Sequence, residues 1–348
     1  MTQPAVSGAP DPKGSQAGNI AVLGAGSWGT ALSMLLGRNG HQVKLWDRDA
    51  GHLQDIAATR ENRRYLPGIP VPGNVTPVAD LSEALRDSDY VLAVVPSAGF
   101  RDALQHTRAH LGNRFNLIWA SKGLEPGSGK FLHQIVDEEL PGHSAIAALS
   151  GPSFAAEVAR GLPTAVTVAS KNSDYAAAAA ALFHCSRFRA YTCEDVIGVE
   201  LGGSIKNVLA IAAGISDGLG YGANARAALI TRGLAEIMRL GICLGGQRET
   251  FMGLAGVGDL VLTCTDDQSR NRRLGLALGR GVPLEKAVAD IGQAIEGLHT
   301  ARELDALARR HGVEMPITEQ VKRVLFEGEP AAGAVENLLT RDPKPEIL

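Results

Sequence analysis

Residues 20–38 read IAVLGAGSWGTALSMLLGR, and this stretch decides the fold class. The apolar start predicts a short buried strand, and the residues after the glycines predict a helix over 30–38. Of the three glycines between them, Gly24 permits a tight turn, Gly26 lets the backbone approach a pyrophosphate, and Gly29 lets the helix pack on the strand. The helix N-terminus adds free N–H groups and partial positive charge. This G-x-G-x-x-G arrangement predicts a dinucleotide-binding Rossmann unit.

The chain continues as short apolar runs that alternate with helical stretches, which predicts an α/β fold with a mostly parallel sheet covered on both faces. The predicted strands are residues 20–23, 42–46, 90–95, 117–120, 145–149 and 165–169. Beyond residue 193 only helical patterns remain, so we expect an all-helical C-terminal domain. The predicted division is a disordered tail (1–17), a Rossmann domain (18–193), a helical substrate and catalytic domain (194–340) and a loose tail (341–348).

Composition narrows the classes of function. The chain has 348 residues, 45% of them hydrophobic and 20% charged, with a net charge of −3. This balance argues against a general nucleic-acid or acidic-membrane binder. An apolar run long enough to span a membrane, a signal-peptide pattern and a C-x-x-C pair are all lacking, so we expect a reduced, cytoplasmic protein. No metal-binding motif occurs either, and no metal is predicted.

The end of the second strand bears on the choice of cofactor. Asp47 could accept a hydrogen bond from a ribose 2′-hydroxyl, which favours NAD, whereas Arg48 could pair with a 2′-phosphate, which favours NADP. A solvated Asp/Arg turn is the alternative interpretation. Either cofactor is compatible with these residues, and Arg48 tilts the choice towards NADP.

Polar residues follow several later strands, where ligands bind in open α/β sheets. Lys122 comes directly after an apolar strand and could hold an anionic substrate, or it could be an ordinary exposed lysine. Residues 151–153 open a helix predicted over 154–158, so we expect them to cap that helix and also to contact the ligand.

Lys206 and Asn207 lie in an otherwise apolar helix, predicted over residues 195–214. Because residues three or four apart share a helix face, Gly203 and Ala210 are expected to leave space above this pair. A lysine in a partly desolvated pocket can exchange protons near neutral pH. The alternative is a lysine that extends to solvent at the domain edge.

A second polar group lies further along the chain. Asp259 and Thr263 share a helix face, and Ser269 is a good N-cap for a helix that begins with Arg270. An arginine at a helix start suits a phosphate, although a charged surface turn would look the same. Since no histidine is recognisable beside a carboxylate, lysine is the best candidate for proton transfer.

Seven blocks of the sequence together resemble the bacterial NAD(P)-dependent glycerol-3-phosphate dehydrogenase family. They are GAGSWGTALS (24–33), VVPS (94–97), ASKGLE (120–125), LSGPSFAAEV (149–158), ELGGSIKNVLAIAAGISDGLGYGANARAALITRGLAE (200–236), GVGDLVLTCTDDQSRNRRLG (256–275) and IEG (295–297). The resemblance runs from about residue 20 to residue 339. It implies reversible reduction of dihydroxyacetone phosphate by NADPH or NADH to sn-glycerol 3-phosphate, a precursor of phospholipids, by a homodimer.

The resemblance also implies roles for individual residues. Lys206 matches the family's general acid/base, and we expect Asp259, Thr263 and Asn207 to orient it. The implied substrate-binding residues are Lys122, Gly151, Ser153, Lys206, Asp259, Ser269, Arg270 and Asn271. The implied cofactor-binding residues are Gly24, Gly26, Ser27, Trp28, Gly29, Arg48, Lys122, Ala155, Arg270, Ala294 and Glu296.

Two other functions remain open at this point. One is a related two-domain dehydrogenase of the 3-hydroxyacid or ketopantoate reductase kind, which also uses a lysine but acts on carboxylates. The other is a nucleotide sensor without turnover, although such a sensor needs neither Lys206 in a gap nor Arg270 at a helix start.

Overall fold

The computed structural model describes residues 17–143 and 145–343 and contains a single eight-stranded sheet. Most of the two predicted tails lies outside these residues. The strands are β1 (Asn19–Leu23), β2 (Gln42–Trp46), β3 (Val75–Val78), β4 (Tyr90–Ala93), β5 (Asn116–Trp119), β6 (Ile146–Ser150), β7 (Thr164–Ala169) and β8 (Phe188–Cys193).

The strand order is β3-β2-β1-β4-β5-β6-β7-β8, and all neighbours are parallel except the antiparallel pair β6 and β7. The order reverses between β1 and β4, which creates the crevice where such sheets bind ligands. The predicted, mostly parallel Rossmann-type sheet is confirmed. β3 and β8 were not predicted, because β3 is short and contains Pro77, and because β8 exposes Arg189 and Tyr191 at an edge of the sheet.

The helices lie around the sheet and then form the C-terminal region. They are α1 (Ser27–Arg38), α2 (Ala50–Thr59), α3 (Leu81–Leu85), α4 (Phe100–Leu111), α5 (Leu132–Glu139), α6 (Ala155–Arg160), α7 (Ser173–Phe183), α8 (Val196–Gly218), α9 (Gly222–Cys243), α10 (Arg248–Phe251), α11 (Asp259–Thr265), α12 (Arg270–Gly279), α13 (Leu284–Ile291), α14 (Glu296–Arg310), α15 (Pro316–Phe326) and α16 (Ala331–Leu339). A 3₁₀ turn covers Ser97–Gly99, and a π-helical turn covers Leu254–Gly258. The region after β8 is helical, as predicted.

The change from sheet to helices occurs between β8 and α8, but α8 takes part in both hydrophobic cores. Val196 and Val199 at its start pack with side chains of the sheet. From Leu201 onward its apolar residues form the centre of the helical core. The predicted domain division at residues 193/194 therefore lies just before α8, a helix that packs in both cores. The division stays a prediction.

Glycines allow α8 and α12 to touch at the backbone. A Cβ atom added to Gly214 of α8 would fall 2.2 Å from the Arg272 carbonyl oxygen, and one added to Gly275 of α12 would fall 2.0 Å from the Ile211 carbonyl oxygen. Neither position could hold a side chain at this separation. This close crossing holds the first residue of α12, Arg270, in a set position relative to α8.

In the part of the chain that the structure describes, α8 is the one helix long and apolar enough to cross a membrane. However, 94% of its most apolar window is buried inside the protein, which is typical of a core helix.

Candidate active site

A cleft of about 1600 Å³ runs between the ends of β1, β2 and β4 and the helices α8, α11, α12 and α14. Pockets for single small ligands usually measure ~300–1,000 Å³, so this cleft can take a dinucleotide together with a small substrate. Most of the site residues expected from the sequence line it. They are Gly24, Gly26, Ser27, Trp28, Gly29, Arg48, Lys122, Ser153, Ala155, Lys206, Asn207, Thr263, Ser269, Arg270, Asn271, Ala294 and Glu296.

The glycine motif forms one wall of the cleft. Gly24 has a φ of +114°, and a Cβ atom on Gly29 would fall 1.9 Å from the Gly24 carbonyl oxygen, so α1 sits directly against the loop. Around Gly26, by contrast, nothing lies within 4 Å of an added Cβ atom. Gly26 is also the N-cap of α1 and supplies no side-chain acceptor, so the first N–H groups of that helix remain available to a ligand. These features fit the pyrophosphate of NAD or NADP.

Asp47 is tied to the glycine loop. Its Oδ2 atom accepts a hydrogen bond from Ala25 N–H at 2.7 Å, and its Oδ1 atom accepts from Asp49 N–H at 3.1 Å. Asp47 also lines the cleft, and each carboxylate oxygen keeps a further lone pair, so the expected contact with a ribose hydroxyl stays a prediction. Arg48, the next residue, is exposed at the edge of the cleft.

Two lysines share one buried carboxylate on the opposite wall. Asp259 Oδ2 accepts a hydrogen bond from Lys122 Nζ at 2.8 Å, and Asp259 Oδ1 accepts one from Lys206 Nζ. The side chains of Lys206 and Asp259 are only 9% and 1% exposed. The chain therefore brings residues of α8, α11 and the end of β5 to one point, with one more positive than negative charge.

This arrangement changes the proton affinity of its members. Burial is the main cause that lowers the pKa of Lys206 to about 7; the Asp259 carboxylate opposes the shift and the Lys122 ammonium adds to it. Burial alone would raise the pKa of Asp259, but Lys122 and Lys206 lower it below its ordinary value. Asp259 is therefore ionised, and Lys206 is able to gain or lose a proton near neutral pH.

Thr263 and the π-helical turn hold Asp259 in place. Thr263 Oγ1 donates to the Asp259 carbonyl oxygen at 2.6 Å and lies 3.4 Å from its Oδ1 atom. α11 begins at Asp259, directly after the π-helical turn, and Asp259 and Thr263 share its face as expected. Such turns are frequent at functional sites because they redirect a side chain.

The gap expected beside Gly203 is wrong. A Cβ atom added to Gly203 would fall 2.6 Å from Ser150 Oγ, so α8 packs tightly on the end of β6 at this point. The space in front of Lys206 is the cleft itself, which lies between the strand ends of the sheet and the C-terminal helices.

Asn207 does not orient Lys206 by a hydrogen bond in the described part of the chain. Its Oδ1 atom accepts from Asn271 Nδ2 at 3.0 Å, and Asn271 Oδ1 accepts from Gly297 N–H at 2.9 Å. The reason is geometric, since consecutive helix residues point about 100° apart. Asn207 thus ties α8 to the starts of α12 and α14.

Arg270 extends into the cleft from the first turn of α12. Ser269 is the N-cap of this helix, as expected, and its hydroxyl accepts from Arg272 N–H at 3.2 Å. Burial lowers the pKa of Arg270, and the carboxylate of Glu296 is its main opposing influence. Glu296 is half-buried; desolvation raises its pKa, and its carboxylate accepts a hydrogen bond from Ser97 Oγ at 3.2 Å. Across residues 17–143 and 145–343 the Arg270 guanidinium makes neither a hydrogen bond nor an ion pair.

Residues 151–153 do not cap a helix as expected. α6 begins at Ala155 with Phe154 as its N-cap, and Ser153 Oγ donates instead to the Gly151 carbonyl oxygen at 3.0 Å. Gly151 and Asp259 lie behind the cleft wall, and the Gly151 carbonyl oxygen is 3.4 Å from Lys122 Nζ.

The statement that no histidine lies beside a carboxylate is also wrong. His133 Nδ1 contacts Glu200 Oε2, and Glu200 Oε1 accepts from Trp119 Nε1 at 2.9 Å. Burial opposes protonation of His133, but Glu200 outweighs it and raises the histidine's pKa. These residues are 67 positions apart in the chain, so no local sequence pattern predicts their contact. Neither residue lines the cleft, and the pair joins α5 to α8.

Comparison with known proteins gives consistent matches over nearly the whole described chain. Sequence models of NAD-dependent glycerol-3-phosphate dehydrogenase match residues 19–176 (N-terminus) and 195–336 (C-terminus). The chain is 60% identical over 328 residues to a protein of Thioalkalivibrio sulfidiphilus named glycerol-3-phosphate dehydrogenase (NAD(P)+), covering 94% of this chain and 98% of that protein. A protein of the same name from Halorhodospira halophila is 55% identical over 331 residues, covering 95% and 99%. A crystal structure of glycerol-3-phosphate dehydrogenase from Coxiella burnetii superposes with a TM-score of 0.91 at 49% identity, covering 93% of this chain and 99% of that one.

Proposed function

The chain belongs to the NAD-dependent glycerol-3-phosphate dehydrogenase family, and on that premise we propose that it reversibly reduces dihydroxyacetone phosphate to sn-glycerol 3-phosphate with NADPH or NADH. The observation that carries this proposal is the buried Lys206 ammonium, which faces the cleft opposite the glycine motif. A carbonyl placed between these two walls can receive a hydride from one side and a proton from the other. The related dehydrogenases of carboxylate substrates are not favoured by the family match.

Lys206 is the proton donor in this proposal. The reduced nicotinamide, when bound, supplies a hydride to C2 of the substrate, and Lys206 Nζ gives its proton to the carbonyl oxygen, so that C=O becomes CH–OH. In the reverse direction neutral Lys206 removes the hydroxyl proton. Asp259 is the positioning residue that holds Nζ in place. Burial, with a smaller contribution from the Lys122 ammonium on the same carboxylate, keeps the pKa of Lys206 low enough for transfer.

Arg270 and the N-terminus of α12 hold the substrate phosphate. The guanidinium is half-buried, extends into the cleft and has two parallel N–H groups for phosphate oxygens. The helix N-terminus adds partial positive charge at the same place. Clamping the phosphate brings C2 to a set distance from Lys206, which supplies much of the rate. The remaining substrate contacts that we propose are Lys122, Ser153, Ser269 and Asn271, which line the cleft, while Gly151 acts from behind the wall through its contact with Lys122.

Arg48 makes NADPH the preferred cofactor in this proposal. The guanidinium of Arg48 is exposed at the edge of the cleft and can pair with a 2′-phosphate of the adenosine ribose, whereas the Asp47 carboxylate is shared with Ala25 N–H. Replacing Arg48 with Ala is expected to lower kcat/KM for NADPH about tenfold and to leave NADH almost unchanged, since one charge-assisted contact is lost. The remaining cofactor contacts that we propose are the glycine motif, Ala155, Ala294 and Glu296.

The wider setting is proposed from the family. The protein is cytoplasmic, supplies sn-glycerol 3-phosphate to phospholipid synthesis and forms a homodimer. Exposed apolar side chains on neighbouring helices support self-association, because Ile242, Met252 and Val261 are 50%, 56% and 42% exposed. Light scattering of the purified chain tests the dimer, and a monomer at micromolar concentration would contradict it.

The decisive experiment is a steady-state assay that follows cofactor absorbance with dihydroxyacetone phosphate and each reduced cofactor in turn. Unphosphorylated dihydroxyacetone and ketopantoate serve as comparison substrates. Rapid oxidation of NADPH with dihydroxyacetone phosphate alone is expected. Preference for ketopantoate would support the carboxylate dehydrogenase instead, and cofactor binding without any turnover would support a sensor.

A further inference from the structure

The residue between the first two motif glycines, Ala25, is held by side chains from outside the motif. Asp47 Oδ2 accepts from Ala25 N–H at 2.7 Å. On the other side of the residue, the Ala25 carbonyl oxygen accepts from Asn62 Nδ2 at 2.9 Å and contacts His52 Nε2 at 3.1 Å. Both backbone groups of Ala25 are therefore occupied by the protein itself.

These side chains are buried and linked to one another. Asn62 is 0% exposed and His52 is 7% exposed. Asn62 Nδ2 also donates to Thr30 Oγ1 on α1 at 2.8 Å, so a single amide joins the loop to the helix that follows it. Such buried bonds keep a fixed geometry, because each broken bond would leave a polar group without a partner.

The same group connects the glycine loop to a further residue that lines the cleft. Asn62 Oδ1 accepts from Tyr65 N–H at 3.0 Å, and the Tyr65 ring packs edge-on against His52 with 5.1 Å between centroids. Tyr65 itself lines the cleft. The segment after α2 thus supports the loop from behind and also forms part of the cleft wall.

We infer that His52 and Asn62, together with Asp47, are positioning residues that hold the glycine loop in the shape that binds the cofactor pyrophosphate. We call these three residues the Ala25 clamp. The inference rests on the proposed function for the identity of the ligand. Glycines 24, 26 and 29 have no side chains with which to hold the loop, and Gly26 has open space beside it. The clamp supplies that rigidity from behind and leaves the N–H groups of α1 to the ligand, which lowers the ordering cost of binding.

The test replaces Asn62 with Ala and measures NADPH affinity by fluorescence titration without substrate. We expect the Kd for NADPH to rise about tenfold, with kcat at saturating NADPH within about twofold of the original, because ground-state and transition-state binding are lost together. The matched control is Asn74→Ala. Like the Asn62 amide, the Asn74 amide donates two hydrogen bonds, here to the backbone carbonyls of Gly37 at 2.7 Å and His41 at 2.8 Å. Asn74 does not line the cleft.

A second pair of variants separates positioning from simple folding stability. His52→Gln keeps a side-chain N–H donor and is expected to keep the Kd near its original value, whereas His52→Leu removes the donor and should raise the Kd as Asn62→Ala does. This pair decides the question even if Asn62→Ala fails to fold. The clamp is overturned if His52→Leu and Asn62→Ala lower the apo Tm as Asn74→Ala does but leave the Kd unchanged.

The outcome is independent of the proposed reaction. If the original chain binds NADPH in a clamp-dependent way but does not reduce dihydroxyacetone phosphate, the proposed function fails and the clamp stands. If the original chain reduces dihydroxyacetone phosphate and the clamp variants bind NADPH normally, the reaction stands and the clamp fails.

Discussion

The two walls of the cleft recognise their ligands by opposite means. The glycine wall (residues 24–29) carries no charged side chain and acts through backbone N–H groups and the dipole of α1. The lysine wall (Lys122, Lys206 and Asp259) consists of the buried Lys206 and Asp259 and the half-buried Lys122, and their mutual contacts and burial shift the pKa values of Lys206 and Asp259. The first wall therefore depends on glycines, which let a ligand approach the backbone closely. The second wall depends on the removal of charged groups from water.

This difference predicts different failures. A change in the glycine wall alters shape and so affects cofactor binding. A change in the lysine wall alters charge balance and so affects the chemical step or the recognition of phosphate. The four predictions below test this contrast, beginning with the largest expected effect.

The largest effect is expected from Lys206→Ala. Removing the proton donor should lower kcat for dihydroxyacetone phosphate by about 10²- to 10⁴-fold, the usual contribution of general acid catalysis, with a much smaller change in substrate affinity. Steady-state kinetics with NADPH measures it. The control is Lys286→Ala, an exposed lysine paired with Asp290 on α13. A near-normal kcat in the Lys206 variant would refute its assignment as the donor.

Arg270→Ala should act on the phosphate alone. Losing a charge-assisted contact of about 1.5–3 kcal/mol lowers kcat/KM for dihydroxyacetone phosphate about 10- to 150-fold. Unphosphorylated dihydroxyacetone should be reduced at an almost unchanged rate. Arg280→Ala, at the other end of α12, is the matched control. An equal loss with both substrates would show that Arg270 does not bind the phosphate.

Two glycine variants separate shape from stability on the glycine wall. Gly26→Ala has open space for its methyl group, so the apo Tm should stay unchanged while the Kd for NADPH rises about tenfold, since the methyl group displaces one anion contact. Gly29→Ala places its Cβ atom against the Gly24 carbonyl oxygen and should lower the apo Tm. Thermal melting and fluorescence titration measure both. Normal NADPH affinity in Gly26→Ala would contradict a pyrophosphate at this loop.

The smallest effect is a dependence on pH. The pKa of Lys206 is lowered to about 7, and reduction needs its protonated form, so kcat/KM for reduction should fall to half near pH 7 and continue to fall as pH rises. Oxidation of sn-glycerol 3-phosphate needs the neutral form and should rise over the same range. In Asp259→Asn the loss of the carboxylate should lower the pKa of Lys206 further and move both profiles to lower pH. Profiles that do not move would show that another group titrates.

Local sequence patterns predicted much of the fold because they reflect local physics. The apolar strands and the glycine motif followed one another in the expected order, and the alanine run at residues 176–181 lies in α7. β8 could not be predicted from its pattern, because an edge strand with exposed Arg189 and Tyr191 lacks the continuous apolar run of a buried strand. The gap expected beside Gly203 is not present. A glycine leaves space only where no other group fills it, and here Ser150 Oγ fills that space.

For the site, too, single residues could be predicted from the sequence but most of their contacts could not. Lys206 was noticeable as a charge in an apolar helix, and Arg270 as an arginine at a helix start. The bond between Asp47 and Ala25 N–H could not be predicted, because this N–H group meets the carboxylate only once the loop has turned towards β2. His52 and Asn62 carry no motif of their own, so their contact with Ala25 could not be seen before the chain was folded.

By itself the sequence determined the Rossmann sheet, the glycine-rich loop and the presence of a lysine in an apolar helix, because periodicity and steric size act between near neighbours. Only the tertiary structure decided the chemistry of that lysine. Asp259 lies 53 residues from Lys206 and 137 from Lys122, and their contact and shared burial arise when α8, α11 and the end of β5 pack together. A pKa depends on desolvation and on nearby charges, and for Lys206 and Asp259 folding creates both.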